Sequence, residues 1–340
     1  MSFSLSICIP AYNRAEFMVP LLDSLRMQQE FIYEVVVCED LSPERDLISN
    51  IIRDYRFSHP SFPLRYIENE KNLGYDANLR RLLESSSGDY CLFMGNDDIL
   101  LAHSLKRIHE VLNTNQDIGV ISRAYNWFSG SADNVIDTVR HLPSDKLFEA
   151  GTSAISFFFR RVGVLSGLVF KRTEAIELST DRYDGHLYYQ MYLTATLLKK
   201  MRGYYISSVQ TSSRDGIVPD FGNADAEKNN FKPGEYVYSA RVYMVRGLLN
   251  IAKDCDTDGE LFNAVKNDIC NYFYPYIRDQ LSLPFTHYIK MVRMFMDIGL
   301  SDKYMFWCYI TIGYVLKKRG FDYAIKCVRN ALGHTPRFGF

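Results

Sequence analysis

The sequence predicts an α/β fold in which helices cover both faces of a mostly parallel sheet, with a helical extension at the C-terminal end. Short apolar runs alternate with helical stretches through the first half of the 340-residue chain. Polar residues directly follow several of these runs, and from Tyr236 the pattern is helical nearly to the end. Such alternation is typical of doubly wound parallel sheets, which bind ligands at the carboxyl ends of their strands.

Four strands are predicted in the first hundred residues: Leu5–Ile9, Glu34–Cys38, Leu64–Glu68 and Tyr90–Met94. The first, second and fourth are short apolar runs, as expected for strands covered on both faces. Helical periodicity appears at Phe17–Met27, Asp46–Tyr55, Asp76–Ser85 and Ile99–Leu112. Pro10 is expected to end the first strand.

Less regular alternation continues beyond residue 115. Further strands are predicted at Val120–Phe128 and Leu165–Phe170, and further helices at Thr152–Arg160 and Leu187–Met201. Ser207–Glu235 is rich in Ser, Gly, Asn and Asp without periodicity, so we expect a functional or mobile loop there. The following helical region should break near Pro275, Pro284 and Pro336.

Composition excludes several classes of protein. A hydrophobic fraction of 47% and a charged fraction of 23% are those of a globular protein. The net charge of −1 argues against a nucleic-acid partner. The seven cysteines form no CxxC pair, and Cys8, Cys38 and Cys91 lie in apolar runs, so neither a disulfide frame nor a zinc site is expected. No signal peptide or membrane span is visible, which predicts a cytoplasmic protein.

The strongest local signal is Gly95-Asn96-Asp97-Asp98, directly after the fourth strand. Adjacent carboxylates and an amide at a strand end suit a hard divalent cation, Mg²⁺ or Mn²⁺. Such an ion can bridge a diphosphate and neutralise charge on a leaving group. The alternative is a polar turn in which Asp98 caps a helix that begins at Ile99.

Three weaker signals follow the first three strands. In the first, Pro10 to Arg14 ends a strand, and Tyr12 and Asn13 could lie against a nucleobase and its ribose. In the second, Glu39 and Asp40 could accept hydrogen bonds from a base or a ribose. In the third, a turn at Gly74 precedes a helix whose N–H groups could face a nucleotide. The polar residues of that third segment include Asn72 and Asn78. Taken singly, each signal also fits an ordinary turn.

In their order and spacing these segments resemble the family-2 inverting glycosyltransferases with the GT-A fold. The resemblance covers roughly residues 4 to 215 and rests on SICIPAYNR, EVVVCED and NEKNLGYDANLRRLLESSSGDYCLFMGNDDIL. It implies a nucleotide-sugar site lined by Pro10, Tyr12, Asn13, Arg14, Glu39, Asp40, Asn72, Gly74, Asn78, Asn96 and Asp97. It also implies that Asp98 is the direct metal ligand and that Asp97 contacts ribose or metal. Asn96 stands where many members carry an acid.

The resemblance also implies a general base, because an inverting transfer must deprotonate the acceptor hydroxyl. Ser166 to Arg172 matches the strand after which members place an acid. Asp184 is the expected base and Asp181 the second candidate; a helix cap is the alternative. Arg214 is placed where members often carry a residue that closes over the diphosphate.

Basic residues concentrate near the C-terminus. Residues 301–340 carry seven Lys or Arg against two acids. The seven are Lys303, Lys317, Lys318, Arg319, Lys326, Arg329 and Arg337. Together with neighbouring aromatic residues they could contact an anionic inner-membrane leaflet, as a lipid-linked acceptor would require. Packing against the first domain or in a homodimer is the alternative.

We therefore expect a GT-A catalytic domain at 1–235 and a helical region at 236–340. The expected activity is metal-dependent, inverting, single transfer of a sugar from a nucleotide-diphosphate donor to a glycan, in bacterial O-antigen or capsule synthesis. The absence of a Gln-x-x-Arg-Trp motif favours single transfer over chain polymerisation. UDP, CDP, dTDP and GDP all remain open as the donor nucleotide. The alternatives are a nucleotidyltransferase and an inactive nucleotide-sugar-binding or scaffold protein.

Overall fold

One ten-stranded sheet organises the molecule, which a computed structural model describes for residues 3–235, 237–256 and 259–332. The strands are β1 (Leu5–Ala11), β2 (Glu34–Glu39), β3 (Leu64–Glu68), β4 (Tyr90–Phe93), β5 (Ile99–Leu100), β6 (Ile118–Phe128), β7 (Val135–Val139), β8 (Lys146–Phe148), β9 (Leu168–Lys171) and β10 (Arg202–Arg214). The α-helices of these ranges are α1 (Ala15–Arg26), α2 (Arg45–Ser58), α3 (Tyr75–Ser85), α4 (Ser104–Thr114), α5 (Thr152–Phe158), α6 (Arg172–Glu177), α7 (Tyr189–Leu197), α8 (Tyr238–Cys255), α9 (Glu260–Asn271), α10 (Tyr274–Ile277), α11 (Phe285–Asp297) and α12 (Tyr304–Leu332).

The order of strands brings the polar segments to one edge of the sheet. The order is β3-β2-β1-β4-β9-β6-β10-β5, with β7 beside β6 and β8 beside β10. The first four strands run parallel, and so do β6 and β10. β9 lies antiparallel between these two groups. The residues that follow β1, β2 and β4 therefore meet at the carboxyl ends of parallel strands, and the predicted α/β class is confirmed.

Helices cover both faces of the sheet, which explains why the central strands β1, β2 and β4 are largely apolar. In β1, Ile7 and Ile9 pack in one core with Leu22 of α1. Cys8 points the other way and packs in a second core with Leu79 of α3. Successive strand residues face opposite sides, so a strand with two covered faces needs apolar side chains at every position. The cysteines of β1, β2 and β4 are buried and unpaired, as predicted.

The C-terminal helices share the second core with the sheet. That core contains Val245 of α8, Phe273 before α10 and Phe306 of α12, together with Phe170 of β9. No helix within the described ranges is long and apolar enough to cross a bilayer. The division at residue 235 stays a prediction about the chain, while the two parts meet through buried apolar side chains.

Several predicted boundaries were wrong for identifiable reasons. β1 continues through Pro10 to Ala11. Pro10 has no backbone N–H to donate, and it is tolerated because β4 pairs with β1 only as far as Cys8. Ile99 does not begin a helix, because Ile99 and Leu100 pair with β10 and α4 starts at Ser104.

The predicted loop after residue 206 was also wrong in its first part. β10 runs to Arg214 beside β6, with register shifts near Ile206 and Val209. Such irregularities break the two-residue alternation that would have signalled a strand. The short strands β7 and β8, which pair with β6 and β10, were missed. Pro275 and Pro284 lie at helix starts as expected, whereas Tyr236, Pro336 and Arg337 lie outside the described residues.

Candidate active site

A cavity of about 800 Å³ lies at the carboxyl ends of the parallel strands. This volume is within the range of small-molecule sites, roughly 300–1,000 Å³. The predicted site residues that line it are Pro10, Tyr12, Arg14, Asp40, Asn72, Gly74, Asn78, Asn96, Asp97, Asp98 and Arg214. Because these residues come from five separate parts of the sequence, the strand order is what assembles the site.

Arg14 bridges two carboxylates at the start of α1. Asn13 and Arg14 both have positive φ, 54° and 65°, which turns the chain sharply after β1. The guanidinium lies 3.0 Å from an oxygen of Asp97 and 3.0 Å from an oxygen of Asp220. Asn13 does not line the cavity; its side-chain amide donates to Asp220 at 3.1 Å, and its carbonyl accepts from Asn96. Asn13 therefore holds the turn and the overlying segment.

Asp98 is buried and its carboxylate is surrounded by hydrogen-bond donors. One oxygen accepts from the hydroxyls of Ser166 and Ser213, and the other accepts from the backbone N–H of Arg214. Burial, followed by the neighbouring Asp97, raises the pKa of Asp98 to about 6. A carboxylate in this position ties the end of β10 to the β4 turn. The alternative of a helix cap at Asp98 is excluded, because α4 begins at Ser104.

The two adjacent carboxylates fit a Mg²⁺ or Mn²⁺ ion that takes its other ligands from a substrate. A β-carbon built on Gly95 would lie 3.3 Å from an Asp97 oxygen and 3.4 Å from an Asp98 oxygen, so both carboxylates converge beside this glycine. Within the described ranges, no three His, Cys, Asp or Glu side chains are grouped to hold a metal by themselves. Magnesium is commonly held by one or two carboxylates plus substrate phosphates and water.

Asp40 organises the loop before α3. Its carboxylate accepts from the backbone N–H groups of Leu73 and Gly74, at 2.8 and 2.9 Å, and from the amide of Asn69. Burial raises the pKa of Asp40. Gly74 has a φ of 84°, which a residue with a side chain rarely adopts. Asp40 therefore lines the cavity and also fixes the shape of its wall.

Glu39 lies outside the cavity, contrary to the prediction. It is fully buried, and its oxygens accept from the backbone N–H groups of Leu41 and Ser42 and from Arg45 at 2.6 Å. Its carboxylate therefore supports the turn between β2 and α2 and is not available to a ligand. Sequence alone could not show which of the adjacent acids Glu39 and Asp40 faces the cavity, because successive strand residues point to opposite sides.

The predicted base Asp184 is also placed away from the cavity. Both of its oxygens accept from Arg80 of α3, at 2.6 and 2.8 Å. Neither Asp184 nor the exposed Asp181 is among the residues that line the cavity. Of the acids that do line it, Asp215 is the exposed one. In this arrangement Asp184 is the ion-pair partner of Arg80.

Arg214 lines the cavity but its guanidinium is held by protein groups. It lies over the ring of Phe17 at 3.9 Å and that of Phe128 at 4.6 Å, and it donates to the carbonyl of Gly130. Two aromatic faces and a carbonyl fix the orientation of this cation beside the two acids. A phosphate clamp at Arg214 stays a prediction.

Residues 215–235 cover one side of the cavity and were only partly anticipated. Glu227, buried on this segment, accepts from the backbone N–H of Tyr75 at 2.8 Å and that of Gly222 at 2.7 Å. Burial raises the pKa of Glu227. A β-carbon on Gly74 would lie 2.8 Å from a Glu227 oxygen, so the glycine permits this close approach. No signal in the sequence pairs residues so far apart in the chain.

Asp76 and Gln190 are further polar residues that the sequence did not single out. The buried carboxylate of Asp76 accepts from the backbone N–H groups of Leu187 and Tyr189 at the start of α7. Burial raises its pKa to about 7. Gln190 lines the cavity, and its buried amide oxygen has no hydrogen-bond partner among the described residues. Gln190 therefore offers an acceptor for a ligand hydroxyl.

The sequence of the strands and turns that form this cavity matches a known family. Residues 6–165 match the profile described as Glycosyl transferase family 2. Residues 6–165 belong to glycosyl transferase family 2. The family-2 segment contains Pro10 to Arg14, Asp40 and the Asp97–Asp98 pair, whereas Gln190, Arg214 and the C-terminal helices lie beyond it.

Curated relatives that match the family-2 segment include proteins named as sugar transferases. The chain is 34% identical to abequosyltransferase RfbV of Salmonella typhimurium over 119 residues. The aligned residues are 35% of this chain and 35% of RfbV. It is 26% identical over 225 residues to the amylovoran biosynthesis glycosyltransferase AmsB of Erwinia amylovora, covering 65% of this chain and 72% of that one. The match to RfbV thus spans about a third of the relative.

Solved structures share the fold of nearly all of this chain. S. aureus TarS 1–349 in complex with UDP-GlcNAc superposes with a TM-score of 0.63 at 14% identity, covering 99% of this chain and 94% of that one. The mannosyltransferase PcManGT from Pyrobaculum calidifontis, in complex with GDP-Man and Mn²⁺, gives a TM-score of 0.52 at 13% identity, over 94% and 87%. The predicted GT-A fold is confirmed, including helices beyond the family-2 segment.

Proposed function

We propose that this chain is an active glycosyltransferase that moves one sugar from a nucleotide-diphosphate donor to an acceptor glycan in bacterial surface polysaccharide synthesis. The observation that carries the proposal is the convergence of Asp97 and Asp98 beside Gly95 in a cavity of about 800 Å³. Membership of residues 6–165 in glycosyl transferase family 2 and the naming of RfbV and AmsB support it.

The site would divide its tasks between strand ends. Tyr12, Asp40 and Asn72 line the wall where a nucleoside would lie. Asp97 and Asp98 would hold Mg²⁺ or Mn²⁺, which when bound neutralises the diphosphate as it leaves. Asp97 presents the more open carboxylate, since both oxygens of Asp98 already accept hydrogen bonds. Gln190 would accept a hydrogen bond from a sugar or acceptor hydroxyl.

Inversion requires a base on the face of the sugar opposite the leaving group. The carboxylate would have to line the cavity, which Asp184 does not. Asp215 does so and is exposed. We therefore place Asp215 ahead of Asp184 as the group that takes the proton from the acceptor hydroxyl.

Calorimetric binding of UDP, CDP, GDP and dTDP, with and without Mn²⁺, tests the proposal. We expect one nucleotide to bind with metal and to lose at least about tenfold in affinity in Asp97→Asn and Asp98→Asn, because each removes a charged ligand. Asp98→Asn should also lower the unfolding temperature, since Ser166, Ser213 and Arg214 lose a charged acceptor. Asp54→Asn, an exposed acid on α2, is the control.

Binding of no nucleotide by the folded wild type would overturn the transferase proposal. Donor hydrolysis without acceptor separates an enzyme from an inactive binding or scaffold protein, which should not turn over. Release of pyrophosphate from a nucleoside triphosphate would instead indicate a nucleotidyltransferase.

The first half of α12 exposes an uncharged face. Its residues at helical spacing are Tyr304, Trp307, Cys308, Thr311, Ile312 and Val315, and we call them the apolar face of α12. Tyr304 and Val315 are each 71% exposed. The face ends at Lys317, where the helix breaks with a φ of 55°, and Lys318 and Arg319 follow. Tyr and Trp beside cations are typical of helices that lie in a membrane interface.

We propose that the apolar face of α12 rests on an anionic bilayer, which would place the enzyme at the cytoplasmic surface of the inner membrane. Vesicles containing phosphatidylglycerol should bind the protein, and phosphatidylcholine vesicles should bind it several-fold more weakly. Ile312→Asp should abolish vesicle binding without changing the fold. A concentration-dependent dimer that Ile312→Asp dissociates, in protein that binds neither vesicle, would show instead that the face joins two copies.

A further inference from the structure

The end of the cavity formed by the C-terminal helices is lined by three cations. They are Arg241 of α8, Arg278 after α10 and Lys318 of α12, and we call them the cationic end of the cavity. All three surround Asp279: Lys318 Nζ lies 3.6 Å and Arg278 Nη1 lies 3.8 Å from one of its oxygens, while Arg241 donates to the other. Three segments outside the family-2 segment thus bring charge to its cavity.

Positive charge is in excess at this place. Besides Asp279, the nearby acid is Asp322, which accepts from Arg278 at 2.9 Å through both oxygens. Three cations therefore face two carboxylates, in a chain whose net charge is −1. A separation of 3.6 Å is too long for a hydrogen bond, so the contact with Asp279 fills none of the three N–H donors of Lys318.

We propose that the cationic end of the cavity binds a phosphate group of the acceptor, while the acceptor hydroxyl reaches the donor near Asp97. This inference rests on the proposed function, because it takes the other end of the same cavity as the donor site. Phosphate esters match the observed donors, since Arg and Lys side chains are the usual partners of phosphate oxygens.

The position of Lys318 connects this subsite to the surface of the molecule. Lys318 is 44% exposed at the helix break, directly after the apolar face of α12 ends. A phosphate held there would lie at the mouth of the cavity beside that face. The phosphate could belong to a lipid-linked glycan or to a phosphodiester within a polymer, and both present the same chemical group.

Titration calorimetry with inorganic pyrophosphate and with farnesyl diphosphate tests the subsite, in protein saturated with the nucleotide and metal that it binds. We expect Lys318→Gln to weaken both ligands about tenfold, because one charge-assisted contact is lost. Lys318→Arg should restore binding. Lys326→Gln, an exposed cation of the same helix that does not line the cavity, should stay within twofold of wild type.

Equal binding of pyrophosphate by wild type and Lys318→Gln would overturn the subsite. A parallel loss of nucleotide affinity in Lys318→Gln would also overturn it, since the cations would then serve the donor. If the wild type binds no nucleotide, the titrations run on protein alone, so failure of the proposed function is seen separately from failure of the subsite. If farnesyl diphosphate binds more tightly than pyrophosphate, and Val315→Asp removes the difference, the acceptor phosphate belongs to a lipid-linked glycan. If the two ligands bind equally, the phosphate group alone is recognised.

Discussion

At the scale of single residues, the partner of each acid decides what it can do. Asp40, Asp97 and Asp98 face the cavity, whereas Asp184 has both oxygens bound by Arg80, which also donates to the carbonyl of Thr180. A carboxylate held by a bidentate guanidinium keeps its charge and its position. That arrangement joins α3 to the segment before α7. It leaves neither oxygen of Asp184 free of the Arg80 guanidinium to accept a proton.

Asp184→Asn and Arg80→Gln should therefore have matching effects. We expect each to lower the free energy of unfolding by about 1–3 kcal/mol, because either leaves a half-buried charge without its partner. Both variants should retain donor hydrolysis at low temperature. Denaturant unfolding and turnover measured on the same samples check this.

A loss of activity in Asp184→Asn that Arg80→Gln does not share would contradict the pairing role and restore Asp184 as the base. Asp215→Asn is the informative comparison, since this acid lines the cavity. It should reduce transfer at least about a hundredfold, which is typical for the loss of a general base, and should leave nucleotide affinity unchanged.

At the scale of elements, residues 215–235 form a cover that is attached at two places. Arg14 and Asn13 hold Asp220, and the Glu227 carboxylate holds the backbone at Tyr75 and Gly222. Both attachments join the cover to turns that line the predicted nucleotide site. The cover would therefore control the access of a donor to the cavity.

Glu227→Ala should loosen this cover. Two backbone N–H groups lose their acceptor, and we expect cleavage by a protease within 215–235 to speed up several-fold while the rest of the chain stays resistant. Lys228→Ala, on the exposed neighbour, is the matched control; equal cleavage of the two variants would contradict a clamp at Glu227.

The elements that sequence predicted well are those whose pattern is set by local burial. Strands β1, β2 and β4 have two covered faces and appear in the sequence as apolar runs, and the polar residues that follow them identified most of the cavity lining. The errors occurred where tertiary pairing decides. Ile99 joins β10 instead of starting a helix, and the bulges of β10 conceal its alternation. Glu39 and Asp40 are adjacent in sequence but face different environments, which composition cannot reveal.

At the scale of the whole molecule, buried charge and apolar packing join the C-terminal helices to the sheet. Arg160 and Arg161, in the 3-10 turn after α5, bind Asp268 of α9 at 2.8 and 2.9 Å. These two arginines and their acid are less than a tenth exposed. The shared core that contains Phe170, Phe273 and Phe306 surrounds this group.

Asp268→Ala should therefore destabilise the entire chain. Removing the acid leaves two buried guanidinium groups without their carboxylate, which typically costs about 3–5 kcal/mol. We expect a single unfolding transition in wild type and variant alike, shifted to lower temperature in the variant. Calorimetry that resolves two transitions, with only one shifted, would show that residues 1–235 and 236–332 unfold independently.

The bridge that Arg14 makes between Asp97 and Asp220 also links the loading of the site to the motion of its cover. Asp97 would have to exchange the Arg14 guanidinium for a divalent cation in order to hold one, and an Arg14 side chain that turned away would no longer hold Asp220. Metal binding at Asp97 and release of Asp220 by Arg14 would then be coupled, so each would favour the other by the same factor. A cross-link that holds residues 215–235 closed would therefore weaken metal binding at Asp97. A metal ion that binds Asp97 more tightly would shorten the lifetime of the closed cover.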